Sequence, residues 1–208
     1  LKENISYIKT QLREKSNFMA VIKSDAYGHN IENVVTNIDD SVDGYGVVRI
    51  SEAKKIRKIS NKKILLMQGI YSDDELHKAI KLNLDIVIHN KDQFSIIKSN
   101  NYFEGLWLKI NTGMNRLGFE IDDFLNLYNK YLYDKKFILM SHLAASNDIN
   151  SLSNKNQFKL FDSLSEKINK DIKKSIANTG CVMNFPSHTY DWVRCGIGIY
   201  GGYFKDKN

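Results

Sequence analysis

The alternation of short β-branched apolar runs with amphipathic helical stretches predicts a parallel α/β fold, a (β/α)8 TIM barrel. Three observations carry that prediction. Eight such runs are present; the 208 residues leave 26 for each strand–helix unit, compact but within reach of small barrels; and polar residues gather where the runs end. An open, doubly wound sheet fits the same periodicity and is the alternative.

In chain order the runs are 18–23, 45–48, 63–67, 85–89, 105–111, 137–142, 175–177 and 193–200. The first reads Phe18-Met19-Ala20-Val21-Ile22-Lys23, and the seventh is the shortest. Between the runs lie helical patterns at 30–38, 52–59, 74–82, 93–98, 122–131 and 157–168. In the third of these, Leu76, Ala79 and Ile80 share one face at spacings i, i+3, i+4. No Gly/Ser/Pro linker interrupts the series, and the only proline is Pro186, so one domain is expected over 1–208.

Hydrophobic residues make up 42% of the chain and charged residues 26%, which supports one sizeable core and excludes wholesale disorder. The net charge of +6 raises the question of nucleic acid. Its lysines, however, are scattered singly or in pairs (Lys54-Lys55, Lys62-Lys63, Lys135-Lys136, Lys173-Lys174) and interleaved with acids. No nucleic-acid partner is expected, and a basic barrel serving as an interaction surface has only the charge to support it. No run approaches the ~18 apolar residues of a membrane span, and no charged leader is present, so no membrane association is expected. Cys181 and Cys195 lack a pairing motif, which predicts a reducing, cytoplasmic setting; no metal is expected. A first residue of Leu1 in place of methionine points to a cut or processed chain.

In parallel α/β folds the carboxyl ends of the strands form the functional face. Those ends carry Lys23, then Lys109 and Asn111, then His142, then Asn178 and Thr179, with Arg194 inside the last run. Each alone has an ordinary structural explanation: a strand-ending lysine reaches into solvent, and a lone histidine is hydrogen-bonded in place. Their coincidence on one face points to a site. A lysine closing an apolar strand is a candidate nucleophile towards an aldehyde, since desolvation disfavours a charged amine. Gly196 and Gly198 let the backbone approach a ligand near the last strand, where barrels often hold phosphate. The loop 111–116 can present Arg116 to an anion. Amine, phosphate cradle and carboxylate-reading arginine together describe a pyridoxal 5′-phosphate site acting on an amino acid.

The residues in these segments are similar to a known family. Ala20-Val21-Ile22-Lys23-Ser24-Asp25-Ala26-Tyr27-Gly28-His29 resembles the pyridoxal-phosphate attachment motif of alanine racemases. Lys109-Ile110-Asn111-Thr112-Gly113-Met114-Asn115-Arg116-Leu117-Gly118-Phe119 resembles that family's second signature. His142-Leu143-Ala144-Ala145-Ser146, Ala177-Asn178-Thr179 and the segment from Val193 to Gly201 match later segments in the right order. The likeness covers nearly the whole chain.

The resemblance implies an amino-terminal cofactor barrel followed by a β-rich carboxyl-terminal domain that this sequence lacks. It implies a homodimer with active sites between subunits, converting L- and D-alanine and supplying D-alanine for peptidoglycan. Lys23 would bond the cofactor and act as acid/base on one face of the substrate α-carbon; a tyrosine of the second domain would serve the other. Tyr27, Thr179 and the backbone at Gly196 and Ile197 would hold the phosphate. Arg194 would face the pyridine nitrogen, with His142 supporting the ring and Arg194. Arg116 would meet the substrate carboxylate, oriented by Lys109, a position often carbamylated in the family; Asn178 belongs to the motif without a defined role. Thr179 stands where serine is commoner, Asn115 where glycine is usual, and Cys195 is expected to be inert packing. Other readings are a relative acting on serine or a basic amino acid, and a stand-alone pyridoxal-phosphate binder without turnover.

Overall fold

A computed structural model describes residues 1–13 and 16–203; the last five residues of the expected 1–208 domain, 204–208, lie outside the described residues. The strands are β1 (Asn17–Val21), β2 (Gly44–Val47), β3 (Lys63–Leu66), β4 (Asp85–Ile88), β5 (Leu106–Lys109), β6 (Ile138–Met140), β7 (Lys173–Ser175) and β8 (Trp192–Cys195). All pair in parallel in the order β7-β6-β5-β4-β3-β2-β1-β8. The two ends of that sheet meet. Asp191 N donates to Lys174 O at 3.1 Å, Arg194 N to Ala177 O at 2.9 Å, and Ser175 Oγ to Trp192 O at 2.8 Å. The result is a nearly closed (β/α)8 barrel, not an open doubly wound sheet.

Helices cover the outside: α3 (Ile31–Ile38), α4 (Ile50–Arg57), α5 (Asp73–Lys81), α6 (Lys91–Ser99), α7 (Ile121–Leu127) and α8 (Leu152–Ser165). Several begin where a polar side chain accepts from the third amide beyond it, as Asn30 does from Asn33, Ser72 from Glu75 and Asn90 from Gln93. Three short helices escaped the periodicity reading, α1 (Lys2–Lys9), α2 (Lys23–Tyr27) and α9 (Thr179–Asn184). Several segments differ from expectation: β1 ends at Val21, short of the 18–23 run, and α8 lies five residues earlier at its start and three at its end than the expected 157–168. The seventh strand lies two residues earlier than its predicted run. The helix expected over 122–131 passes into a wider π-helical turn at Tyr128–Leu132. The last run divides, because the chain turns at Gly196 (φ −112°, ψ −88°) and Ile197–Tyr200 forms a 3₁₀ turn rather than strand.

Alternation along the strands explains the two cores. Outward residues such as Phe18, Ile64, Leu66, Ile86, Ile88, Leu106 and Leu108 pack beneath the helices. Inward residues Met19, Leu65, Val87, Trp107, Met140 and Trp192 fill the barrel as a separate cluster. Side chains two residues further along a strand return to the same face. Met19 is thus followed inside by Val21, Trp107 by Lys109 and Trp192 by Arg194, and Lys23 and His142, just beyond β1 and β6, line the same space. The apolar plug supplies the floor, and the next inward layer is polar.

Candidate active site

Above that floor lies a cavity of about 410 Å³. Lys23, Tyr27, Lys109, Arg116 and His142 line it, together with Asn178, Thr179, Arg194, Gly196 and Ile197. Every site residue expected from sequence therefore converges on one space. Four of them are cations, and among the described residues no carboxylate lines the cavity.

Lys23 does not end the strand, as its sequence suggested. It opens α2 (Lys23–Tyr27), a single turn in which Ser24, Asp25, Ala26 and Tyr27 all take positive φ between 51° and 57°. This left-handed turn sets Lys23 half-buried at the cavity floor and carries Tyr27 into the wall. There the Tyr27 hydroxyl lies against Gly196: a Cβ on that glycine would stand 2.5 Å from it. Burial raises the Tyr27 pKa, so the hydroxyl keeps its proton. Gly198 serves packing instead; it is not part of the cavity lining, and the space beside it is taken by Thr179 and Ile8.

Arg194 is 4% exposed, and among the described residues it is held without an acid. Its guanidinium donates to Ser175 Oγ, to Ser141 O at 2.7 Å and to His142 Nδ1 at 3.2 Å. A guanidinium only donates, so Nδ1 must accept and the imidazole proton sits on Nε2. Burial first, then the charges of Arg194, Lys109, Arg116 and Lys23, hold the His142 pKa down to about 3. Lys109 is 6% exposed, and burial beside Arg194 and Arg116 brings its pKa down to about 8. Ser141 Oγ also donates to Ile110 O (2.9 Å) and shares a hydrogen bond with Thr112 Oγ1 (2.8 Å). Gln157 donates to that threonine oxygen (3.1 Å) and to His142 O (2.9 Å).

The arginine loop is organised by Asn111. Its Oδ1 accepts from Gly113 N and Asn115 N, each at 3.1 Å, and its Nδ2 donates to Asn115 Oδ1 and Glu120 Oε1. Asn115 holds φ +55°, the conformation the usual glycine would favour, so the turn survives the replacement. Arg116 stands exposed at the rim, and among the described residues its side chain has no hydrogen bond or ion pair, with Lys109 or any other. Asn178 acts as a helix cap, its Oδ1 accepting from Cys181 N at the start of α9 (3.0 Å) and from Ser146 Oγ (2.7 Å). The Cys195 thiol is fully buried and pushed up to about 12, as inert packing should be.

Residues 1–204 match the family described as alanine racemase, N-terminal domain. The chain belongs to that family. It is 38% identical over 205 residues to an alanine racemase of Vesicomyosocius okutanii, covering 97% of this chain and 57% of that one. An alanine racemase structure from Acinetobacter baumannii aligns at a TM-score of 0.86 and 27% identity, covering 100% of this chain and 64% of that one. One from Bartonella henselae, described with covalently bound pyridoxal phosphate, shares the fold at a TM-score of 0.85 and 21% identity, over 97% of this chain and 62% of that one. The chain thus spans less than two thirds of each of these proteins.

Within this alanine racemase barrel, some residues that build the site carried no signal in the motif reading. Ser141, Ser175, Thr112 and Gln157 form a buried polar layer behind His142 and Arg194. Gln157 was detectable in principle: it shares the buried stripe of α8 with Phe161 and Leu164, where an amide requires polar partners. Glu52, which touches the lysine turn from 28 residues away, gave no local sign. Among the described residues no group of three or more His, Cys, Asp or Glu side chains is placed to hold a metal ion, and no helix is long and apolar enough to cross a membrane.

Proposed function

We propose that this barrel binds pyridoxal 5′-phosphate through Lys23 and that the intact protein racemises alanine. The supporting observation is the unpaired positive charge: Lys23, Lys109, Arg116 and Arg194 surround one cavity, and none is in an ion pair among the described residues. Such a donor set suits a phosphorylated aldehyde and an amino-acid carboxylate, and a cavity of about 410 Å³ lies in the range of small-ligand sites.

Bound there, the cofactor supplies an electron sink that makes the substrate's α C–H acidic. Lys23 would hold the cofactor through its amine and, with that amine freed by the incoming substrate amine, would take or return the α-proton on its own face. The hydroxyls of Tyr27 and Thr179, with the backbone at Gly196 and Ile197, would hold the phosphate. Arg194 would face the pyridine nitrogen and leave it largely unprotonated, because two adjacent cations repel. Neutral His142 fixes the Arg194 plane from behind. Arg116, free at the rim, takes the substrate carboxylate, with Lys109 adding positive charge beneath it. The opposing acid/base comes from outside this chain, in a cytoplasmic homodimer that supplies D-alanine for peptidoglycan, so the barrel alone racemises poorly.

The test adds pyridoxal phosphate, follows absorbance, reduces with borohydride and maps the labelled peptide. Label at Lys23, lost in Lys23→Ala together with all D/L-alanine exchange, is the expected result. Label confined to another lysine would end the assignment.

A further inference from the structure

We infer that Glu52 is a positioning residue for Lys23, its carboxylate holding the turn Ser24–Tyr27 in the left-handed conformation that brings both Lys23 and Tyr27 to the cavity. This rests on Lys23 being the cofactor's attachment point, as proposed above.

Glycine or asparagine enters the left-handed region singly at modest cost, but four successive residues with a Cβ are strongly disfavoured. Ser24, Asp25, Ala26 and Tyr27 are such a run, and Ala26 is fully buried within it. Something outside the turn must therefore over-determine it. The turn's own bonds lie at its carbonyl side and its far end: Ala26 N donates to Ile22 O at 3.0 Å, Gly28 N to Ser24 O and Asp25 O, His29 N to Ala26 O and Asn30 N to Asp25 O, each at 3.1 Å. Its leading amides have no carbonyl behind them within the turn. Glu52 Oε1 accepts both, from Ser24 N at 2.7 Å and Asp25 N at 3.4 Å.

The other oxygen of the same carboxylate is anchored elsewhere. Oε2 accepts from Val48 N and Arg49 N, each at 3.0 Å, where the chain leaves β2 and enters α4. Among the described residues Glu52 is in no ion pair, so its charge is met by four backbone N–H groups. One side chain thus ties the lysine turn to the neighbouring β2–α4 junction. Asp25 assists through Ile31 N (3.2 Å) and Lys55 Nζ (3.4 Å), but from the exposed side of the turn. Without the Oε1 bonds, Ser24 and Asp25 lose their constraint and relax towards right-handed dihedrals, and Lys23 and Tyr27 swing from the cavity together.

A plain capping role for Glu52 at α4 is the competing account, and two measurements on the intact protein separate them. In the cofactor-free protein, Glu52→Gln should speed hydrogen exchange in the peptide spanning 22–30 by about tenfold, the loss of a charged hydrogen bond. Borohydride labelling of Lys23 at subsaturating pyridoxal phosphate should fall by a similar factor. Adding Ser24→Gly to Glu52→Gln should restore both, because glycine takes positive φ freely and keeps the backbone amide through which residue 24 meets Glu52. Unchanged exchange over 22–30 in Glu52→Gln, or a labelling defect that Ser24→Gly leaves in place while α4 alone exchanges faster, would overturn the assignment. Should wild-type protein label elsewhere, the attachment reading falls, and the exchange measurement still decides the role of Glu52.

Discussion

Asp85 and Lys109 occupy opposite mouths of the same barrel and meet opposite treatment. At the amino-terminal mouth, Asp85 Oδ2 lies 2.6 Å from Lys63 Nζ and accepts from Trp107 Nε1 at 2.7 Å. At the carboxyl-terminal mouth, two residues beyond Trp107, Lys109 is buried with Arg194 and Arg116 as the charges acting on it. Asp43 and Asp191 likewise spend their carboxylates on backbone amides at the first mouth, Phe18 N and Lys174 N. One end is neutralised and packed; the other holds like charges together at a cost to stability. An anion bound there, as proposed above, would relieve that cost, and function would then separate from folding along the barrel axis.

The sharpest way to break this comparison is Trp107→Ala. Trp107 is fully buried, meets Trp192 edge-on at 5.8 Å, and anchors Asp85. Its truncation should cost about 3–5 kcal/mol of stability, read as a fall in the urea midpoint. The fraction of folded molecules that label at Lys23 should stay unchanged. A folded variant that no longer binds cofactor would show that the two ends are not separable.

Lys109→Met should do the reverse. The buried amine titrates at about 8 when folded against 10.5 when free, so the folded state bears the full cost of the charge below pH 8. That cost fades as pH rises from 8 to 10.5. In carbonate-free buffer, which keeps the amine unmodified, the methionine variant should be more stable at pH 7 by on the order of 2 kcal/mol. The gain should shrink through that pH window while affinity for pyridoxal phosphate falls. A variant less stable at pH 7 would mean that Lys109 has a stabilising partner, contrary to the charges around it.

Legibility from sequence followed the same division. The barrel's packed parts were readable because period-2 and period-3.6 patterns are properties of neighbouring residues: 63–67 and 85–89 fell on β3 and β4 within a residue. α1 was missed because only Ile5 and Ile8 of it are buried, too few to show a stripe. Ile197–Tyr200 read as strand because its residues are apolar; the turn at Gly196 is a backbone event that composition does not record. At the functional mouth, Lys23, Arg116 and Arg194 were legible through family motifs. The left-handed turn was not, since Ser24-Asp25-Ala26-Tyr27 contains no glycine and the group that contacts it, Glu52, belongs to another strand–helix unit.

The smallest expected effect tests whether the arginine loop belongs to the scaffold or to the site. Asn115 sits at φ +55° with its Oδ1 accepting from Asn111 Nδ2 at 3.0 Å, on a loop whose tip is exposed. Glycine there gives up that one exposed hydrogen bond but relieves the left-handed strain, so Asn115→Gly should shift stability by no more than about 0.5 kcal/mol. A β-branched residue resists positive φ by about 1–2 kcal/mol. An exposed loop answers such strain by moving rather than by unfolding the barrel behind it. Asn115→Val should therefore leave the melting temperature nearly unchanged while displacing Arg116, and the KM for alanine in the intact protein should rise by about tenfold, the equivalent of 1.4 kcal/mol. If instead the valine variant melts earlier and its KM holds, the strain has gone into the core. The loop would then group with Asp85 and Trp107 as packing, leaving the buried cations alone to define the anion-binding end.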